Sequence, residues 1–82
     1  MPTLGDVIAN NVRAERARRH WTQAHLAELA GWPRTAIHEI ESGRRKLGPD
    51  DLVTLCRVFR LPLVELARGG DPDHLTTLGL TP

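Results

Sequence analysis

Apolar residues recur along this chain at the three- and four-residue steps that place side chains on one face of a helix, and almost nothing alternates as a strand would. Leu4, Val7, Ile8 and Val12 predict a first helix from about Gly5 to Arg19. Leu26, Leu29 and Ala30 predict a second, opened by Thr22 as N-cap from about Gln23 and stopped at Gly31, where glycine accepts a left-handed backbone without a Cβ penalty. Pro33 suits a first helical turn, so a third helix begins between Pro33 and Thr35, turns Ala36, Ile37 and Ile40 inward and closes at Gly43. Leu52, Leu55, Cys56 and Phe59 mark a fourth behind Pro49, with Asp50 and Asp51 where the helix dipole favours negative charge. Pro62 to Ala67 reads as a short fifth. The class is all-α, a compact five-helix bundle.

The second and third helices form a pattern of their own. Leu26, Ala30, Ile37 and Ile40 supply an inward face, Ala27 is small where another helix must pass closely, and Gly31 sits where the chain reverses. This is the spacing of a helix-turn-helix. It leaves Arg34, Thr35, His38 and Glu39 outside. Two helices of about eight residues are too short to stand alone and need a surrounding core.

Length and charge narrow the picture. Eighty-two residues make one small domain, residues 1–68, followed by a tail, 69–82, whose glycines, prolines and short apolar spacing predict flexibility. Leu75, Leu78 and Leu80 could pack there on a neighbour or partner. The formal net charge is only +1, but residues 13–46 hold eight basic and four acidic side chains, a net +4, and the remainder three and six, a net −3. That asymmetry suits a footprint for phosphates. No apolar run approaches the roughly 18 residues of a membrane span, and no basic-then-apolar leader opens the chain, so a cytoplasmic protein is expected. The single cysteine, Cys56, excludes an internal disulfide and is expected as a core thiol. His20, His25, His38 and His74 have no zinc-ligand spacing, and no phosphate loop or partnered nucleophile appears. No metal, cofactor or catalytic residue is expected.

The run from Leu4 to Ala67 resembles the phage-repressor and Cro type of helix-turn-helix domain, the lambda-repressor-like or xenobiotic response element family. The matching pieces are LGDVI, TQAHLAELAG, RTAIHEIESGRR and DDLVTLCRVFRLPLVEL, in register without insertion. The resemblance implies that the third helix enters the DNA major groove with Arg34, Thr35, His38 and Glu39 as base-reading candidates. Arg34 has the donor fork that fits guanine O6 and N7. It also implies phosphate contacts from Thr22 and Gln23 and from Arg44, Arg45 and Lys46, and a structural salt bridge between Arg16 and Glu41. His20 stands where the family usually has glycine, and Trp32, read as a hydrophobic plug, replaces a smaller aliphatic residue. The function implied is a double-stranded-DNA-binding transcriptional regulator, a repressor acting as a homodimer through the fourth and fifth helices and the tail. Two alternatives stand beside it: an antitoxin or restriction-modification controller whose tail grips a protein partner, and a protein-interaction module that keeps the fold without binding DNA.

Overall fold

Thr3 and Asp6 start the first helix by exchanging hydrogen bonds: Thr3 Oγ1 accepts from the Asp6 backbone N–H at 3.1 Å, and the Asp6 carboxylate accepts from the Thr3 N–H at 2.9 Å. They open α1 (Leu4–Arg18) of a computed structural model that describes residues 2–81. There follow α2 (Gln23–Ala30), α3 (Arg34–Glu41), α4 (Pro49–Phe59), α5 (Leu63–Leu66) and α6 (Pro72–Thr77), with no strand among the described residues. The protein is all-α.

The core forms where α1, α3 and α4 converge on α2 and α5. Val12, Leu26, Ile37, Leu55 and Leu66 are wholly enclosed, with Phe59 beside them. Ala27 is buried between α2 and α3, where its methyl side chain permits close approach. Asn11, midway along α1, ties that helix to the end of α5: its side-chain amide donates to the carbonyls of Leu66, at 2.8 Å, and Arg68, at 2.9 Å.

Five helices end in one way. A residue in the left-handed region follows α1 (His20), α2 (Gly31), α3 (Gly43), α4 (Arg60) and α6 (Gly79). The next N–H then reaches back to a carbonyl five residues earlier: Trp21 to Arg16, Trp32 to Ala27, Arg44 to Glu39, Leu61 to Cys56 and Leu80 to Leu75. In such a stop the residue after the left-handed one usually packs as an apolar plug. Trp21, Trp32, Leu61 and Leu80 do so. After α3 the position is Arg44, and it is exposed.

Three expectations are corrected. Residues 72–77 form a sixth helix where no element was predicted; Asp71 caps it through the Asp73 N–H at 2.8 Å, and Leu75 and Leu80 pack against the core. Buried Gly70 lets the chain cross Leu4 on the way: a Cβ there would lie 2.9 Å from Leu4 Cδ1. Leu29, placed by its spacing on one helical face with Leu26 and Ala30, is 47% exposed. It sits about 110° round the helix from the midline between Leu26 and Ala27. Cys56 is half-buried rather than enclosed, on an open apolar face with Pro49, Leu52, Val53 and Leu63.

Candidate nucleic-acid interface

Helix α3 is divided lengthwise. Ala36, Ile37, Ile40 and Glu41 are buried, while Arg34, Thr35, His38 and Glu39 all face outward. The four base-reading candidates thus share one exposed side, and Arg34 takes part in no ion pair among the described residues. Pro33 precedes the helix without a side-chain cap, so its first amides carry no intramolecular side-chain partner.

Glu41 fixes the inner side of α3. Its Oε2 accepts from Arg16 Nε at 2.7 Å, and its Oε1 from Arg16 Nη2 at 2.9 Å and from Gln23 Nε2 at 3.1 Å. Arg16 also donates from Nη1 to the Trp21 carbonyl at 2.9 Å. The hydrogen bond with Glu41 raises the Arg16 pKa above its ordinary value against the opposing effect of burial. One carboxylate therefore ties α1, the start of α2 and the end of α3 together.

The phosphate candidates divide by surroundings. Thr22 Oγ1 caps α2 by accepting from the His25 N–H at 3.0 Å. The Gln23 side-chain amide is engaged by Glu41, which leaves the backbone N–H groups of Gln23 and Ala24 in the first turn of α2 for an anion. Arg44 and Lys46 are exposed and unpaired among the described residues. Arg45 differs: it is half-buried, its Cζ lies 5.4 Å from the Trp32 ring centroid, and its Nη2 is 3.1 Å from Asp51 Oδ1.

Sequence reasoning missed three anchors behind this surface. Asn11 is one. Arg19 is another: its guanidinium lies 4.9 Å from the Phe59 ring centroid and 5.5 Å from that of Trp21, and donates to the Phe59 carbonyl at 2.9 Å. The third is the Arg45 contact with Trp32. A polar residue on an otherwise apolar helical stripe was the available signal for Asn11; the two arginines carried none, because stacking partners distant in sequence have no spacing rule.

No three His, Cys, Asp or Glu side chains come together as metal ligands among the described residues. No helix among them is long and apolar enough to cross a membrane. Burial pushes the Cys56 thiol pKa up.

Two helices crossing through a glycine turn, the second exposing a polar side at the surface, define a helix-turn-helix. The helix-turn-helix domain family matches residues 8–69, and the chain belongs to that family. No curated protein matches it in sequence. Among solved structures it is similar to the hypothetical transcription factor NHTF from Neisseria, at 24% identity and TM-score 0.74, over 92% of this chain and 84% of that one. The clp gene regulator ClgR from C. glutamicum is similar at 23% identity and TM-score 0.74, over 80% and 85%. The restriction-modification controller protein C.AhdI from Aeromonas hydrophila is similar at 22% identity and TM-score 0.70, over 76% and 94%. These likenesses establish a shared fold.

Proposed function

We propose that this protein is a sequence-specific regulator of transcription that binds double-stranded DNA as a homodimer, inserts α3 into the major groove and represses by occupying its site. One observation carries the reading: α3 presents Arg34, Thr35, His38 and Glu39 outward from a buried, ion-paired inner face, with Arg44 and Lys46, unpaired among the described residues, at its exit. Arg34 reads guanine through two parallel hydrogen bonds, Thr35 contacts a thymine methyl or phosphate, and Glu39 accepts from cytosine N4. Phosphates on either side are held by Arg44, Lys46 and the capped start of α2 around Thr22 and Gln23. Helix-turn-helix proteins of this kind are non-enzymatic, and the protein acts in the cytoplasm, where bacterial DNA lies.

The homodimer reading draws on the open apolar face of α4 and α5, where Leu52, Val53, Cys56 and Leu63 lie together. A two-fold pair places the recognition helices about 34–36 Å apart, one turn of DNA. Leu78, 60% exposed beyond α6, is the tail's apolar contact for a protein partner. A role as a restriction-modification controller is the second reading, supported by the fold shared with C.AhdI over 94% of that chain.

Selection of duplexes from a random-sequence library by the purified protein, followed by salt titration of the winner, tests the function. A palindromic site is expected, with affinity falling steeply as salt rises. Recovery of no enriched sequence and salt-independent retention would overturn it in favour of a protein-interaction module.

A further inference from the structure

We propose that Arg45 is a positioning residue that braces both ends of α3, and not a phosphate contact; this rests on α3 being the DNA-reading helix. Trp32 lies two residues before the first residue of α3, and Arg45 four after its last. The Arg45 guanidinium lies over the Trp32 ring, its Cζ 5.4 Å from the ring centroid, and its Nη2 donates to Asp51 Oδ1 at 3.1 Å. Both partners are themselves fixed. Trp32 donates its backbone N–H to the Ala27 carbonyl at 2.9 Å and packs against the core. Asp51 caps α4, its Oδ2 accepting from the Gly48 N–H at 2.9 Å. One side chain therefore ties the turn before α3, the loop after it and the first turn of α4.

Local structure makes such a brace necessary. Pro33 gives α3 no side-chain cap, and the helix has only eight residues. Its exit stop ends on exposed Arg44 where four other helices place an apolar plug. The entry of α3 thus lacks a side-chain cap and its exit lacks an apolar plug, and the contact between Trp32 and Arg45 spans the two. Charge points the same way. Asp51 largely neutralises Arg45, while Arg44 and Lys46 have no acidic partner among the described residues. Of the three basic residues after α3, those two carry the uncompensated charge that attracts phosphate. A planar guanidinium can stack on a ring and donate in its own plane at once; an ammonium cannot.

Three substitutions separate bracing from phosphate binding, read on the duplex the wild-type protein selects from a random library and on a shuffled duplex. With a brace, Arg45→Lys and Arg45→Gln both lower discrimination between the two duplexes by about tenfold, the scale of one lost base contact. The slope of log affinity against log salt stays at the wild-type value. Asp51→Asn, which keeps the cap acceptor and removes a negative charge, also weakens binding. In a Trp21→Phe background, emission from Trp32 changes in all three variants without DNA. The brace is overturned if Arg45→Lys matches wild type, if Arg45→Gln lowers the salt slope by about one, or if Asp51→Asn binds more tightly. Thermal unfolding of each variant keeps loss of fold apart from loss of positioning. Wild-type protein that selects no duplex overturns the regulator reading itself, a result distinct from these.

Discussion

Arg16 and Glu41 meet in a two-pronged ion pair, Nε to Oε2 at 2.7 Å and Nη2 to Oε1 at 2.9 Å, with side chains only 18% and 4% exposed. The pair sets the rotation of α3 about its own axis, because Glu41 is the last residue of that helix and Arg16 belongs to α1. Arg16→Met removes the partner and leaves a buried carboxylate, at a cost of about 3 kcal/mol. Glu41→Gln should cost less, about 1–2 kcal/mol, since Arg16 can still reach water and one amide oxygen remains. The double replacement by methionine should recover most of the loss. Urea unfolding midpoints of the wild type, Arg16→Met, Glu41→Met and the double variant, with Glu41→Gln alongside, check this, and strict additivity of the two methionine effects would disprove the coupling.

Arg34 and Lys46 are expected to fail differently. Arg34→Ala should cost about 1–3 kcal/mol on the selected duplex and relax the preference at one base pair of each half-site. Lys46→Ala should weaken binding to selected and shuffled duplexes alike and reduce the salt slope by about one. Fluorescence anisotropy across a salt series, with both duplexes, distinguishes the two.

Much of this was legible beforehand, and the reason differs by element. Thr22, Gly31, Pro49 and Gly43 punctuate helices through local chemistry, so the bounds of α2 and α3 and the start of α4 followed from the chain alone. Periodicity located Val12, Leu26, Ile37, Leu55 and Phe59 in the core. Leu29 was misplaced because an eight-residue helix spans barely two turns, too few to fix the centre of its buried stripe. The sixth helix was missed because its stability resides in Leu75 and Leu80 packing against the core, a contact distant in sequence from Leu4. For the surface, the outward side of α3 followed from its buried side by elimination. Arg45 stood in a basic triplet that reads as uniform until Trp32 and Asp51 are seen against it.

His20 and Arg60 hold left-handed backbone at φ 57° and 56° without being glycine. A Cβ in that region is strained, so His20→Gly and Arg60→Gly should each stabilise the fold by about 0.5–1 kcal/mol despite the added freedom of the unfolded chain. Gly31→Ala makes the opposite test: a Cβ there meets nothing within 4 Å, so the expected loss of about 1 kcal/mol reports backbone strain alone. Thermal unfolding of the three variants measures the signs.

Burial raises the pKa of the Cys56 thiol. The neutral form is therefore favoured in the folded state, and the unfolded chain ionises first as pH rises. The stability linked to Cys56 is fully present below the unfolded thiol pKa and is lost as pH climbs through the folded one. Alkylation at mildly alkaline pH should accordingly run slower on the folded protein than on the urea-unfolded chain, with the gap narrowing as pH increases. Equal rates across that range would contradict it.

Val53 offers the cleanest probe of the proposed subunit pairing, because it is 49% exposed and lies on the apolar face of α4. Val53→Asp removes no core contact, so the melting temperature extrapolated to low concentration should hardly move. Across a two-fold axis, the same change sets two carboxylates close together on a surface that must shed water, and association should fall by well over tenfold. Sedimentation equilibrium should find dimers for the unaltered chain and monomers for Val53→Asp. Binding to the full palindrome should weaken far more than binding to a single half-site, since one protomer still carries α3 and its phosphate contacts. Undiminished dimerisation would move the pairing surface elsewhere on the bundle.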